Sequence, residues 1–503
     1  MLRTSPNLLI RSLRNTKDFI RLKQKENLVL LAILVAGAFL RFYRLGSESL
    51  WSDELFTMDV VDPAKSLDKM FVFLKCCDTH PPLFYLGERA MLVLFGTSEF
   101  TARLLPALAG VAGIGAMYFL GAEISGRRLG LVAATLTAFN FYHIGYSREA
   151  RMYSLLFLFG ALSFAFLFRL IRQLRSRDMW LYSCFALLTL YTQYFGIFLI
   201  CSQFAAAVVL FFWTNNKVRY AKLFAVSGGF LLAAYAVWLP FLLAAARIRS
   251  FWIDPVDPFF FIGYFKEYFG RAVILSYIAG ALLILYFLRV LTLKPRGRTR
   301  LVSDPYRLSL AVFSVSILLT YLIPYLRSTL VLPMLVSRYT IAALPALLVC
   351  IGYGLSFTGR PWVQSLLLTG IIGLSLYNTI RNRMYSPPTK PQFRELAAFL
   401  SADGKCRQYP LLNERTARFD FYFKQFHYRG PIIAASSAGV IDSIIHRSSP
   451  KYDVEAFWLV DAPTGSPPDP FPSGGVPKGL DSAFVLEKEG VFYQVWGKLY
   501  RRR

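Results

Sequence analysis

Acid, histidine and cysteine are all scarce in this chain of 503 residues: 30 Asp and Glu stand against 56 Lys and Arg, with four His and six Cys. The net charge of +26 does not mark a nucleic-acid surface, because the basic residues fall in short clusters between apolar runs, as membrane topology requires. His80, His143, His427 and His446 are scattered and offer no zinc spacing. Cys184, Cys201 and Cys350 lie inside apolar runs, where a thiol packs as a small hydrophobe. Cys406 stands alone, and the neighbours Cys76 and Cys77 are too close for an unstrained loop, so no structural disulfide is expected.

What the chain has is hydrophobicity: 55% of its residues are apolar and 16% aromatic, and several runs approach the ~20 residues that cross a bilayer. This composition predicts an α-helical polytopic membrane protein. Residues 1–27 form a basic start that should stay in the cytoplasm, followed by the run Leu28 to Leu40, with Arg41 and Arg44 placed to snorkel at its far end. Ala36-Gly37-Ala38 is similar to a signal cleavage site, but the long basic region and the many later runs favour an uncleaved anchor. Pro81 to Phe95 is short and interrupted by Glu88 and Arg89, so it reads as an interfacial helix.

Further spans are expected near Thr101 to Ala122, Leu129 to Tyr146, Tyr153 to Ile171, Met179 to Gln193, Gly196 to Trp213, Lys222 to Ala244, Ala272 to Leu291, Leu308 to Tyr325, Tyr339 to Phe357 and Trp362 to Thr379, about eleven with the first. With that count the clusters Arg127/Arg128, Arg172/Arg175/Arg177, Lys217/Arg219/Lys222 and Lys294/Arg296/Arg298/Arg300 all lie inside. The membrane module is then residues 28–380, with a first outer loop over 45–100. Residues 381–503 lose membrane character and by parity lie outside. They alternate helical stretches (Gln392 to Leu400, Ala417 to Phe426, Ala438 to His446) with β-rich ones (Tyr409 to Leu412, Pro431 to Ala434, Ala456 to Val460, Phe484 to Trp496), which predicts an extracytoplasmic α/β domain. Thr464 to Gly479 reads as a loop within it.

Four polar sets fall on the outer side, each within about a turn of the predicted membrane boundary. They are Asp53-Glu54, Asp78-Thr79-His80-Pro81-Pro82, Ser147-Arg148-Glu149-Ala150-Arg151-Met152-Tyr153, and Ser337-Arg338-Tyr339. Carboxylates mixed with arginines at headgroup depth fit a reaction in which a lipid phosphate is the leaving group. With a second pKa near ~6, that phosphate departs without protonation if cations hold its charge. The site must then supply a base for an incoming hydroxyl, and a carboxylate can do that. Each set also has a plain structural reading. Asp53 and Glu54 could cap a helix starting near Leu55, Arg148, Glu149 and Arg151 could be an ion-pair network, Arg338 could snorkel, and His80 could be a turn residue. Trp51 and Phe259-Phe260-Phe261 read as interface anchors. The loop Arg247 to Arg271, with Trp252, Asp254 and Asp257, is either a closing segment or a passive interfacial helix.

Leu50-Trp51-Ser52-Asp53-Glu54, His80-Pro81-Pro82-Leu83, Ser147 to Tyr153 and Arg338-Tyr339 resemble the bacterial branch of the protein O-mannosyltransferase superfamily, which includes lipid A aminoarabinose transferases and rhizobial galacturonosyltransferases. The likeness covers roughly residues 28 to 380. It implies the membrane fold called GT-C and an inverting glycosyltransferase of a bacterial inner membrane that uses a polyprenyl-phosphate sugar on the outer face, with no obligatory cofactor or metal. By motif, Asp53 would be the general base, Glu54 would orient acceptor or donor, and Glu149 would be a further acidic site residue. His80, Arg148, Arg151, Tyr153, Arg338 and Tyr339 would bind donor phosphate or sugar. No DxD motif at a soluble strand end and no Gly-rich phosphate loop occurs, which argues against a nucleotide sugar as direct donor.

Two other classes predict different features. A transporter or flippase of a lipid-linked sugar should show paired repeats and charged or broken spans near the midplane, whereas the ionisable residues here gather at the outer edge. A receptor or scaffold working through its outer domain would make the membrane motifs dispensable.

Overall fold

The computed structural model describes residues 6–78, 80–246, 253–292, 302, 304–412, 420–433, 437–447, 453–461 and 480–503, with backbone alone for 6–23, 437–439 and 461. Thr79, the basic residues Lys294, Arg296, Arg298 and Arg300, the segment Arg247 to Trp252 and the predicted loop Thr464 to Gly479 lie outside the described residues.

Helix α1 (Pro6–Phe42) packs against α5 (Glu99–Ser125) and α6 (Arg127–Ala138). Leu28, Leu31, Val35 and Phe39 recur at helical spacing on its outward face, where all are more than half exposed, as lipid-facing residues should be. Arg41 does not snorkel. It is fully buried, and its guanidinium donates to the carbonyls of Gly37, Thr137 and Ala138 and to His143 Nδ1. The last carbonyls of a helix have no intrahelical donor, and a cation there also meets the negative end of the helix dipole. Where α5 and α6 cross, a Cβ on Gly121 would lie 2.8 Å from the Gly130 backbone, so glycine is what lets the two helices approach.

Among the described residues six helices are long and apolar enough to cross a bilayer: α5, α8 (Tyr153–Gln173), α14 (Val273–Thr292), α15 (Pro305–Leu330), the unit Ser337–Ser356 and α17 (Pro361–Arg381). The Ser337–Ser356 unit opens as a 3-10 helix (Ser337–Ala343) and continues as α16 (Leu344–Ser356). A seventh is formed if α11 (Lys217–Ala236) and α12 (Leu239–Ala246), bent by 72°, are one broken span. The expected eleven is therefore not reached by length and composition. Helices α9 (Ser176–Thr192) and α10 (Phe195–Phe211) have 17 residues each. The run Leu129 to Tyr146 is broken into α6 and α7 (Phe141–Tyr146), because the Asn140 side chain accepts the His143 N–H as an N-cap and its amide reaches the Tyr268 carbonyl. The chain is a multi-pass membrane protein.

Between α1 and α5 the chain folds as α2 (Ser52–Val60), α3 (Leu67–Cys76) and α4 (Leu83–Phe95). Helix α4, at 13 residues, is too short to span. Cys76 and Cys77 are joined as a disulfide between neighbours, which corrects the expectation of none: adjacent cysteines at a helix end close a small ring rather than a loop. Cys350 is buried as expected, whereas Cys184 and Cys201 face outward.

After α12 comes the short helix α13 (Phe260–Glu267). The C-terminal part is α/β: helices α18 (Phe393–Leu400), α19 (Asp420–Phe426), α20 (Ser437–Ile445) and α21 (Leu480–Ala483) accompany strands β1 (Leu411–Leu412), β2 (Ile432–Ile433), β3 (Ala456–Asp461), β4 (Phe484–Phe492) and β5 (Val495–Arg502). The sheet order is β2-β1-β3-β5-β4, with β1 parallel to its neighbours and β5 antiparallel to both of its own. Alternation along β3 divides two cores: Ala456, Trp458 and Val460 pack with Leu396 and Leu400 of α18, while Phe457 and Leu459 pack with Ile441 and Ile444 of α20. The β-rich stretch Phe484 to Trp496 holds β4 and the start of β5, a hairpin turning at Tyr493-Gln494 with Gln494 at φ 58°.

Candidate active site

The site is built on Arg103, an arginine in the first turns of α5 that the sequence motifs did not include. Its Nη1 donates to the carbonyls of Leu45 (3.0 Å) and Glu48 (2.9 Å), and its Nη2 to that of Ser49 (3.0 Å). Its Nε and Nη2 clasp the two oxygens of Glu54, each at 2.8 Å. Glu54 also accepts the Ala150 N–H (2.9 Å), the Trp51 N–H (3.2 Å) and Lys390 Nζ (3.3 Å). Burial works to raise its pKa, but the charges of Arg103 and Lys390 and these hydrogen bonds bring it down to about 2. With its oxygens saturated and no exposure, Glu54 ties α2 to α5 and to the loop before α8. Every contact of its carboxylate described above is to the protein's own chain.

Asp53 precedes it by one residue, about 100° round the helix, and points elsewhere. Its Oδ2 lies 2.9 Å from Arg338 Nη1, a residue brought from the far end of the membrane module by the 3-10 helix that starts at Ser337. Arg151 lies alongside, with Nη1 donating to the Asp53 carbonyl (3.5 Å) and Thr57 Oγ1 (3.3 Å). Tyr153 and Tyr339 face each other with ring centroids 6.3 Å apart, and the Arg338 guanidinium sits 5.8 Å from the Tyr339 ring. Arg338, Arg151, Asp53 and Glu149 all act electrostatically on the Tyr153 hydroxyl. Arg151 Nε, the Tyr153 hydroxyl and Glu149 Oε2 are buried with no hydrogen-bond partner among the described residues. Buried polar atoms of this kind are ready to meet a ligand's oxygens.

Glu149 keeps 20% of its side chain exposed, 3.9 Å from Lys390 Nζ. Its carboxyl is raised above the ordinary range by burial, against the pull of Lys390 and Arg338 and with the push of Glu54 and Asp53. It lines a cavity of about 420 Å³ together with Tyr142, Tyr146, Arg271, Thr389 and Lys390. Arg148 borders this cavity too, but its guanidinium donates to the carbonyls of Arg41 (3.0 Å) and Tyr43 (2.7 Å) and lies over the Tyr385 ring, which makes it a brace at the end of α1 and separates it from the Asp53 cluster.

His80 is buried and pairs through Nδ1 with Asp78 Oδ1 at 2.7 Å. Burial tends to raise the Asp78 carboxyl, but His80, a hydrogen bond from Tyr85 and the charge of Arg151 hold it below the usual range. With Nδ1 donating to the carboxylate, His80 borders a second cavity of about 180 Å³ lined by Tyr194, Phe195, Phe198, Leu242, Arg327 and Tyr339. The sequence motifs thus come together in Asp53, Arg151, Tyr153, Arg338, Tyr339, Glu149 and His80, between a polar cavity and an aromatic one. Lys390, from the segment just past the membrane module, was missed because nothing in its local sequence marks it. Among the described residues no group of three or more His, Cys, Asp or Glu is arranged to hold a metal ion.

A model of the family described as dolichyl-phosphate-mannose-protein mannosyltransferase matches residues 79–241. No curated protein sequence matches the chain. Solved structures similar to it include ArnT from Cupriavidus metallidurans bound to undecaprenyl phosphate, with TM-score 0.55 and 14% identity, covering 93% of this chain and 97% of that one. An oligosaccharyltransferase from Archaeoglobus fulgidus gives TM-score 0.52 at 12% identity, covering 86% and 67%. The arabinofuranosyltransferase AftD from Mycobacteria gives 0.52 at 13% identity over 95% of this chain, which spans only 41% of AftD. The fold of this chain is GT-C, as its motifs implied.

Proposed function

We infer that this chain is an inverting glycosyltransferase of a bacterial inner membrane. It moves one sugar from a polyprenyl-phosphate donor to a hydroxyl of a lipid, glycan or protein acceptor on the outer face. The observation that carries this reading is the pairing of the partly open Asp53 carboxylate with Arg338 at 2.9 Å, beside Arg151 and between two cavities. A carboxylate that takes a proton and arginines that hold a departing phosphate are the two things the displacement needs.

The acceptor oxygen attacks C1 of the sugar as the C1–O bond to phosphate breaks. The electron pair leaves on the phosphate, which Arg338 and Arg151 stabilise, and the hydroxyl proton passes to Asp53. One displacement inverts the anomeric carbon. The aromatic cavity, with His80 and Arg327 on its wall, suits the phosphate and first isoprene units of the carrier. The polar cavity, with Glu149 and Lys390, suits the acceptor. ArnT, similar in fold, was crystallised with undecaprenyl phosphate, which is the carrier chemistry expected here.

The test is mass spectrometry of surface glycolipids and glycoproteins from cells with and without this chain, together with site-specific tagging of both termini. Loss of one sugar mass from an outer-face product, with the N-terminus in the cytoplasm and the C-terminus outside, supports the reading. An unchanged glycan profile or a cytoplasmic C-terminus contradicts it.

A further inference from the structure

The stretch that carries Asp53 is held from two sides. On the membrane side Arg103 takes the carbonyls of Leu45, Glu48 and Ser49. On the other side the hold comes from the chain that follows the membrane module. Glu48 Oε1 accepts the Thr389 hydroxyl (2.7 Å) and the Lys390 N–H (2.9 Å). Arg394 Nη2 donates to the Ser47 carbonyl (3.1 Å) and the Arg394 N–H to Ser49 Oγ (3.1 Å).

Tyr422, on α19, is the centre of this outer hold. Its side chain is fully buried, and its hydroxyl accepts the Leu50 N–H at 2.8 Å. The same hydroxyl lies 3.4 Å from Ser49 Oγ and 3.4 Å from Glu99 Oε1, and Glu99 in turn pairs with Arg394 at 3.1 Å. Farther out, exposed Lys424 pairs with Asp62 at 2.6 Å.

Leu50 is completely buried, so water cannot take over its N–H if the tyrosine oxygen is lost. The chain from there to Asp53 has little slack. The Trp51 N–H is fixed on Glu54 (3.2 Å) and the Trp51 carbonyl accepts the Leu55 N–H (2.9 Å), so residues 50–55 move as one unit. A shift at Leu50 is therefore passed to the carboxylate two positions into α2.

We propose that Tyr422 is a positioning residue for Asp53: the C-terminal domain, through the Tyr422 hydroxyl and the Leu50 N–H, sets the Asp53 carboxylate opposite Arg338. The domain is then a working part of the site. The functional consequence rests on Asp53 being the base, but the hold itself does not.

The experiment uses the full chain in detergent micelles with Tyr422→Phe, which keeps the ring and removes the oxygen, and Lys424→Ala as a control at the same surface. Backbone amides of residues 50–60 in Tyr422→Phe should exchange with deuterium about tenfold faster, the scale of one lost hydrogen bond, with α5 unchanged. Asp53 should react several-fold faster, roughly in step with that exchange, with a carbodiimide and glycine ethyl ester. Lys424→Ala should behave as the unaltered chain in both measurements. In transfer assays kcat per folded protein, with the folded fraction taken from the monodisperse peak in size-exclusion chromatography, should fall about tenfold with donor KM unchanged.

Unaltered exchange and Asp53 labelling in Tyr422→Phe overturn the proposal. Faster exchange throughout the C-terminal domain also overturns it, because it makes Tyr422 a stability residue. If the unaltered chain shows no transfer at all, the glycosyltransferase reading fails while exchange and labelling still decide the hold.

Discussion

Glu54 and Arg103 meet as a two-point ion pair across 49 residues of sequence, both almost fully buried, and the next residue, Asp53, turns toward Arg338 instead. Two neighbouring acids thus have opposite surroundings. One is locked to the scaffold, and the other keeps 29% of its side chain exposed beside Arg338.

Breaking the lock should cost stability. Glu54→Gln leaves the Arg103 charge buried without its carboxylate, a loss of about 3–5 kcal/mol by the usual scale for buried pairs. The double replacement Glu54→Leu with Arg103→Met should recover part of it. Thermal unfolding in detergent measures both. Because Glu54 is held down to about 2 from an ordinary 4.5, its stabilisation is fully present above pH 4.5 and is lost as pH falls toward 2. Glu54→Gln should flatten that part of the acid limb, and an unchanged limb would assign it elsewhere.

The arginines are expected to act on the leaving phosphate. Arg338→Ala and Arg151→Ala should each lower kcat by roughly 10²–10³-fold, the effect of removing one transition-state donor. Arg148→Ala should act through stability, since its guanidinium braces the end of α1. Initial rates set against melting temperatures separate the two classes.

Because these side chains supply the positive charge, transfer should persist in EDTA. Loss of activity on chelation, restored by a divalent ion, would reassign the phosphate contact.

Lys390 gives a pH signature. Burial raises the Glu149 carboxyl and Lys390 partly offsets that rise, so Lys390→Ala should push it higher. If ionised Glu149 is needed in the polar cavity, the acidic limb of the transfer profile moves to higher pH in Lys390→Ala and stays near its original place in Lys390→Arg. A profile unmoved by Lys390→Ala would remove Glu149 from the rate-limiting chemistry.

Patterns within one element were legible in the sequence. A short β-rich apolar run gave β3, longer apolar runs gave most long helices, and the four polar motifs gave the acids and arginines that meet around Asp53. Pairings between distant residues were not. Arg103 looks like an ordinary charge near the start of a span, and Lys390 like a linker lysine, until folding brings both to Glu54. Arg41 reads as a snorkelling residue because its partners, the last carbonyls of α6, exist only once Asn140 has broken the run from Leu129 to Tyr146. The hairpin at Tyr493-Gln494 carries no glycine to announce its left-handed residue. The Cys76–Cys77 bond runs against a rule framed for cysteines separated by a loop.

The most direct measurement is transfer by Asp53→Asn, in the same cells or micelles that give product with the unaltered chain. Transfer should be lost by at least about 10²-fold, with the lipid-linked donor still bound and the melting temperature unchanged. Full transfer by a folded Asp53→Asn protein would contradict the assignment of Asp53 as the base.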